Sequence, residues 1–331
     1  APDCGSGRCG FDSHHPPHTS TMNRQDKYLL GLDIGGSSIK FGYGCCPKSL
    51  QYFDKVELQH KSLSCMQDAC SQILSIVDSQ VGLSAIRAIG IGTCGTIDSR
   101  SGLIVGVNPN LKFWVNLPPS AILPPELNLP VAWDNDANLM CLAEATLSCP
   151  QGRVLGITVG SGIGCGYVQG GEVYHGAHGY AMELGHVTAV YQGLPCNCGR
   201  RGCVEAYASL EGIKRRIVSE AGLEDGLDLP AILRNRHADP RLERLIREGE
   251  EHLSLSVANL IVTLDPDLVV FGGGLMDAGL YDIADLRRRI RELLPELNSA
   301  QVKVEQAKEG NKAGVLGAMI LAGQMIKTES E

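Results

Sequence analysis

Two segments of the chain repeat one pattern, in which a short apolar strand runs into a glycine turn and then into a second strand. The first segment covers residues 28–43 (YLLGLDIGGSSIKFGY), and the second covers residues 155–166 (LGITVGSGIGCG). Short apolar runs bounded by glycine are typical of β-hairpins. Because the pattern occurs once in each half of the chain, we predict two α/β domains of related topology rather than one long sheet.

The remaining periodicity predicts how these domains are assembled. Further strands are expected at residues 88–92, 129–133 and 268–271, and helices at residues 64–79, 137–145, much of 205–264, and 313–326. We expect the C-terminal helix to return to the first domain. The domain limits we predict are 27–133 plus 313–331 for the smaller domain and 134–312 for the larger. Residues 1–26 have no apolar periodicity and are predicted to be a disordered leader, with Met22 as a candidate start.

Composition excludes several classes of protein. The formal net charge of −8 argues against a nucleic-acid partner, because binding to phosphate backbones requires a basic surplus. No apolar run approaches the ~20 residues of a membrane-spanning helix, so we expect a soluble protein. The 13 cysteines are odd in number and scattered through a chain too long to need disulfide stapling. We therefore predict a reducing, cytoplasmic location.

The first glycine turn carries groups that suit a nucleotide phosphate. Asp33 ends the strand, Gly35, Gly36 and Ser37 form the turn, and Lys40 follows in the next strand. Glycines let backbone N–H groups approach a phosphate, and a carboxylate can hold phosphate-bridging Mg²⁺. The alternative is a tight hairpin with an incidental aspartate.

The second glycine turn, with Gly160, Ser161, Gly162 and Gly164, strengthens the phosphate interpretation. Neither turn has the Gly-Lys-Ser/Thr ending of a P-loop, and neither leads at once into a helix as a dinucleotide fingerprint does. One such turn in each domain suits a phosphate clamp across a cleft. This arrangement resembles the sugar kinase/actin/Hsp70 superfamily, which implies ribonuclease-H-like or actin-like domains flanking a cleft.

One histidine and three cysteines within 18 residues form a candidate metal site: His186, Cys196, Cys198 and Cys203. Four ligands of these types are typical of a tetrahedral zinc site that leaves no position for water, and hence of structural Zn²⁺. The alternatives are reduced cysteines in a glycine-rich loop, or His175 or His178 as the nitrogen ligand. The run His-x9-Cys-x-Cys-x4-Cys strongly resembles the signature of the ROK family of sugar kinases.

The resemblance extends from Tyr28 to the C-terminus and implies roles for further residues. Asp136 matches the family's catalytic base, and the other matching residues are Asn110, Asn135, Glu183, His186 and Glu205 on the sugar side and Gly272, Gly273 and Gly274 on the adenosine side. From the residues alone, Asn135 or Asp136 could equally well be a helix N-cap. Cys94 departs from the family pattern, which usually has proline at that position.

The resemblance implies ATP-dependent phosphorylation of a hexose hydroxyl, with Mg²⁺ and ATP as cofactors and a homodimer as the assembly. We predict glucose as the substrate, converted to glucose 6-phosphate, with N-acetylmannosamine or N-acetylglucosamine as the alternative. The alternative from another class is a non-catalytic, sugar-sensing regulator. It is disfavoured because the residues before Asp33 lack the helical periodicity of a DNA-binding module.

Overall fold

The computed structural model describes residues 27–46, 48–106, 109–222 and 227–328, without the side chains of residues 109–111. The predicted leader lies outside the described residues. The strands are β1 (Tyr28–Ile34), β2 (Ser38–Gly44), β3 (Tyr52–Glu57), β4 (Ile86–Thr93), β5 (Thr96–Ile97), β6 (Ile104–Gly106), β7 (Val131–Asn135), β8 (Arg153–Val159), β9 (Ile163–Gln169), β10 (Glu172–Val173), β11 (Leu268–Gly272) and β12 (Lys303–Gln306).

The helices connect and cover these strands. The α-helices are α1 (Leu63–Val81), α2 (Asp136–Ser148), α3 (Glu205–Ala208), α4 (Leu210–Ser219), α5 (Leu229–Asn235), α6 (Pro240–Leu264), α7 (Gly274–Asp277), α8 (Ile283–Leu293), α9 (Glu296–Gln301) and α10 (Ala313–Thr328). Short 3-10 helices span Leu83–Ala85, Pro109–Trp114, Pro119–Ile122, Leu184–His186 and Gly310–Lys312. Among the described residues, no helix is long and apolar enough to span a bilayer.

Two five-stranded sheets have the same topology. The first has the order β3-β2-β1-β4-β7, and the second has the order β10-β9-β8-β11-β12. Across each sheet, the first three strands pair antiparallel to one another. The last two strands run parallel to the central strand, which is β1 in the first sheet and β8 in the second. The two-domain α/β fold class predicted from the repeated hairpin is thereby confirmed. The domain limits stay a prediction.

Each sheet is covered on both faces, as the alternation of side chains along its strands requires. Leu30, Leu32 and Ile34 of β1 pack in one core with Ile73 and Val77 of α1. Leu29, on the opposite face, packs with Met319 of α10. The second sheet likewise has one core shared with α2 and α10 and another shared with α4, α6 and α8.

Glycines allow α10 to lie against the backbone of the first sheet and of α2. A methyl group at Gly90 of β4 would overlap the carbonyl oxygen of Ala318, and one at Gly31 of β1 would overlap that of Val315. Gly317 of α10 approaches the carbonyl oxygen of Leu139 in α2 in the same way. The expected return of the C-terminal helix to the first sheet is therefore observed, and the helix lies between that sheet and α2.

Candidate active site

The sheet register places the predicted catalytic and phosphate-binding residues at strand ends. Asp33 of β1 lies opposite Gly92 of β4, and Thr93 of β4 lies opposite Asn135 of β7. These three strands are parallel, so their carboxyl ends meet at one edge of the sheet. In the second sheet, β8 and β11 are parallel and lead into the glycine turns that begin at Gly160 and Gly272.

Asn135 and Asp136 have different structural roles at the junction between β7 and α2. Asn135 is the N-cap of α2, since its Oδ1 accepts from the backbone N–H groups of Ala137 at 2.8 Å and Asn138 at 3.4 Å. Its Nδ2 donates to the carbonyl oxygen of Gly95 at 2.9 Å. The side chain of Asn135 thus caps the helix and also holds the turn after β4. Asp136 is the first residue of the helix rather than its cap.

Asp136 has an unusual electrostatic environment. Its pKa is raised to about 7, first by burial and then by the negative charge of Asp33, while the backbone N–H of Ala137 and the positive charge of Lys40 act in the opposite direction. Burial also raises the pKa of Asp33, although Lys40 Nζ lies 3.5 Å from Asp33 Oδ2. Lys40 Nζ in addition lies 3.4 Å from Asn311 Oδ1. Two half-buried carboxylates, one of which disfavours ionisation of the other, suit a bound cation.

Cys94 lies beside this pair, at the end of β4. Burial, followed by the charges of Asp136 and Asp33, raises the pKa of its thiol to about 12, so the thiol is neutral. The preceding residue, Thr93, accepts a hydrogen bond from the indole N–H of the buried Trp114 at 3.0 Å. The predicted Asn110 belongs to the same 3-10 helix as Trp114, but its side chain lies outside the described residues.

Two of the turn glycines, Gly162 and Gly273, have close neighbours. Glu205, the first residue of α3, accepts from the backbone N–H of Ile163 at 3.1 Å, and a Cβ at Gly162 would lie 2.6 Å from its Oε2. Gly273 has φ +95°, and a Cβ there would lie 2.7 Å from the carbonyl oxygen of Val159. Gly36 is exposed, and no atom lies within 4 Å of the point where its Cβ would be.

The other predicted turn residues lie beside these. Gly35 N–H donates to the carbonyl oxygen of Ser38 at 2.9 Å, and Ser37 and Ser161 are exposed. Gly160 N–H donates to the carbonyl oxygen of Gly162 at 2.9 Å. Gly164 follows in β9, and Gly274 begins α7.

The four predicted metal ligands come together. Cys198 Sγ lies 3.6 Å from Cys203 Sγ, and Cys196 Sγ lies 3.7 Å from His186 Nδ1. All four ligand atoms are within 4.8 Å of one another. A tetrahedral ion with bonds of about 2.3 Å requires about 3.8 Å between neighbouring sulfurs, so the donors and their spacing fit Zn²⁺. Among the described residues this group includes neither His175 nor His178.

The ROK family model matches residues 29–325. The chain belongs to the ROK family. The resemblance inferred from the cysteine and histidine spacing is therefore confirmed.

Relatives in the ROK family include both enzymes and regulators. The chain is 30% identical to the glucokinase of Halalkalibacterium halodurans over 90% of its own length and 96% of that protein's. It is 28% identical to the N-acetyl-D-glucosamine kinase of Salmonella gallinarum over 88% and 98% of the two lengths. It is 30% identical to the xylose repressor of Caldicellulosiruptor bescii, covering 72% of this chain and 64% of the repressor.

Solved ROK structures share the fold over nearly the whole chain. The ROK hexokinase from Thermus thermophilus superposes with a TM-score of 0.77 and 31% identity, covering 91% of this chain and 99% of that one. The ROK glucokinase from Streptomyces griseus, in complex with glucose and AMPPNP, superposes with a TM-score of 0.74 and 29% identity, covering 90% and 99%.

Sequence reasoning gave Asp134 no role at this site and did not predict its contact with His175. Asp134 is 5% exposed, and its Oδ1 accepts from the backbone N–H of Asn135 at 2.7 Å and from Asn138 Nδ2 at 2.8 Å. Its Oδ2 lies 2.6 Å from His175 Nε2. The carboxylate and its histidine are 41 residues apart, so no local pattern links them. His175, considered above as a zinc ligand, is instead the partner of Asp134.

Proposed function

We propose that this chain is an ATP-dependent hexose kinase that transfers the γ-phosphoryl group to a sugar hydroxyl, with glucose as its substrate. The observation that carries the proposal is Asp136, which lies at the start of α2 beside Asp33 with a pKa of about 7. A general base works best when its pKa is close to the operating pH. The names of the glucokinase and N-acetylglucosamine kinase relatives support the same reaction class.

In this proposal Asp136 accepts the proton of the sugar hydroxyl while the hydroxyl oxygen bonds to the γ-phosphorus of ATP, the bond from that phosphorus to the β,γ-bridging oxygen breaks, and ADP leaves. Asp33 would hold Mg²⁺, which when bound neutralises charge on the phosphate oxygens. The turns at Gly35, Gly160 and Gly273 offer backbone close to the phosphates and the adenosine. Phosphoryl transfer through a loose transition state needs mainly positioning and charge neutralisation, and these groups supply both.

Sugar hydroxyls are assigned to Glu183, His186 and Glu205. Carboxylates accept charge-assisted hydrogen bonds from hydroxyl groups. Glu183 is exposed and accepts a hydrogen bond from Thr96 Oγ1 at 3.1 Å, while Glu205 is held at the second glycine turn. Because His186 also belongs to the candidate zinc cluster, we expect the metal to shape the sugar pocket without entering the reaction.

An activity assay distinguishes two alternatives to a glucose kinase. An N-acetylhexosamine is the second substrate class, supported by the N-acetyl-D-glucosamine kinase relative. Cys94, which lies beside Asp136 where the family usually has proline, is a candidate for altering the room around the sugar. A non-catalytic sugar sensor is supported by the xylose repressor relative, although that protein is longer than the region matched.

A coupled ADP-release assay with Mg-ATP tests the proposal. The sugars are glucose, N-acetylmannosamine, N-acetylglucosamine, fructose, allose and xylose, and each is run with wild type and Asp136→Asn. The matched control is Asp282→Asn, the same substitution at the N-cap of the distant helix α8, where asparagine preserves capping. We expect glucose turnover that Asp136→Asn abolishes and Asp282→Asn retains. Absence of turnover with every sugar, combined with measurable sugar binding, would favour the sensor.

A further inference from the structure

The segment from Tyr174 to Glu183, here called the bridging segment, joins the two halves of the molecule. It follows β10 of the second sheet and contacts Asp134 of β7 and residues 96–99, which come after β4 of the first sheet. Four polar contacts connect it: His175 with Asp134, the carbonyl oxygen of His178 with the N–H of Ser99, Tyr180 with Asp98, and Glu183 with Thr96. Gly179 has φ +89° and approaches the carbonyl oxygen of Ile97.

The His175 contact differs from the other three because its partner outside the bridging segment is buried. Asp134 is 5% exposed, whereas Asp98, Ser99 and Thr96 lie at partly or fully exposed positions. A carboxyl group at such depth requires hydrogen-bond partners on both oxygens. Oδ1 of Asp134 accepts hydrogen bonds from the backbone N–H of Asn135 and from the side-chain amide of Asn138. Oδ2 of Asp134 lies 2.6 Å from His175 Nε2.

The carboxylate of Asp134 also strengthens the histidine as a donor. The hydrogen bond to Asp134 is the largest cause that raises the pKa of His175, and the negative charge of Asp134 raises it too. Charge-assisted hydrogen bonds are about twice as strong as neutral ones and impose a closer geometry. One end of this contact, Asp134, lies two residues before the candidate base Asp136, and the other end, His175, belongs to the same segment as the candidate sugar ligand Glu183.

We propose that His175 is a positioning residue that holds the bridging segment, and with it Glu183, in register with the β7–α2 junction that carries Asp136. The inference rests on the proposed kinase function. Sugar bound at Glu183 must present its hydroxyl to Asp136, and displacements of about 1 Å can reduce the rate of a well-positioned reaction by about 100-fold. His175 thus affects the reaction through geometry without touching substrate.

Steady-state kinetics of three variants test the proposal. His175→Ala removes the donor to Asp134, whereas His175→Gln retains an N–H donor at a similar reach. The control is His178→Ala, which removes an exposed ring of the same segment that lies 6.0 Å from the Tyr180 ring. We expect His175→Ala to lower kcat at least about tenfold at saturating sugar, with the KM for ATP changed less than about twofold. His175→Gln should recover most of the loss, and His178→Ala should stay within about twofold of wild type.

Two kinetic results would overturn the inference. One is a kcat for His175→Ala within twofold of wild type. The other is a kcat for His175→Gln no higher than that of His175→Ala, since the hydrogen bond would then not be the cause.

Hydrogen–deuterium exchange separates this inference from the proposed function. The protein without ligands should show faster exchange in residues 176–183 and 134–138 for His175→Ala than for His178→Ala. Wild type that phosphorylates no sugar would refute the kinase but would leave this comparison decisive. Equal exchange in the two variants would overturn the positioning role whatever the reaction.

Discussion

The ionisation of Asp136 should limit the proposed reaction on the acid side of neutrality. Burial raises its pKa from 3.8 to about 7, and the charge of Asp33 is the second cause. A general base must be ionised, so the rate should fall as pH decreases through the pKa. With a pKa of about 7, the carboxylate is about half ionised at pH 7 and about one tenth ionised at pH 6. An ordinary aspartate, with a pKa of about 3.9, would stay ionised across this range.

The assay is kcat/KM for glucose from about pH 5.5 to about pH 8.5, with both substrates below their KM so that the profile reports the free enzyme. We expect a plateau above pH 7 and a decline of about tenfold per pH unit well below it. Asp33→Asn should lower the overall rate and should also move the acid limb to lower pH, because it removes the charge that disfavours ionisation of Asp136. A flat wild-type profile down to about pH 5.5, or an unmoved limb in Asp33→Asn, would refute the reasoning.

The same pKa predicts a cost in stability. Because the folded-state pKa of Asp136 is raised, the native state between about pH 4 and pH 7 binds more protons than the unfolded state, and stability falls as pH rises through this window. Asp136→Asn should therefore have a higher Tm than wild type at pH 8 and a smaller advantage at pH 5. A Tm difference that does not depend on pH would contradict the raised pKa.

Three further predictions concern the scaffold around the site. Removal of the proposed zinc by a chelator, or Cys198→Ser in its candidate ligand cluster, should raise the KM for sugar far more than the KM for ATP. Equal increases would contradict a metal that shapes only the sugar pocket. Gly90→Ala should lower the free energy of unfolding in urea by at least about 2 kcal/mol because its methyl group meets the backbone of Ala318, whereas Gly274→Ala, with no atom within 4 Å, should cost much less. Asn135→Ala should destabilise the protein by about 1 kcal/mol or more through the lost helix cap, measured in the same way, and an unchanged midpoint would contradict the cap.

Sequence periodicity was sufficient for the buried strands and for the edge strand β7, but it missed the edge strands β3 and β12. β1, β4, β8 and β11 are continuous apolar runs and were predicted. β3 at the edge of the first sheet has the sequence YFDKVE with three exposed residues, and β12 at the edge of the second has only four residues. Edge strands with a solvated side and little length carry no strong apolar signal, so both were missed.

Features that depend on residues close together in the chain could be predicted from the sequence. The repeated strand–glycine–strand pattern determined the doubled topology, because hairpin formation depends on neighbouring residues. Four candidate zinc ligands fall within 18 residues, so the chain needs only a short glycine-rich loop to bring them together. The choice of Asn135 over Asp136 as the helix cap was left open, because both side chains have the chemistry and only the backbone path selects one.

Contacts between distant residues were decided by the tertiary structure alone. The effect of Asp33 on the pKa of Asp136, the pairing of His175 with Asp134, and the packing of Ala318 on Gly90 all join residues that are 41 or more positions apart. Strand order brings these partners together, and strand order follows from the burial of both faces of each sheet rather than from any local motif. The sequence by itself determined which groups are available for chemistry, whereas the packing of the two sheets and α10 decided which of them meet.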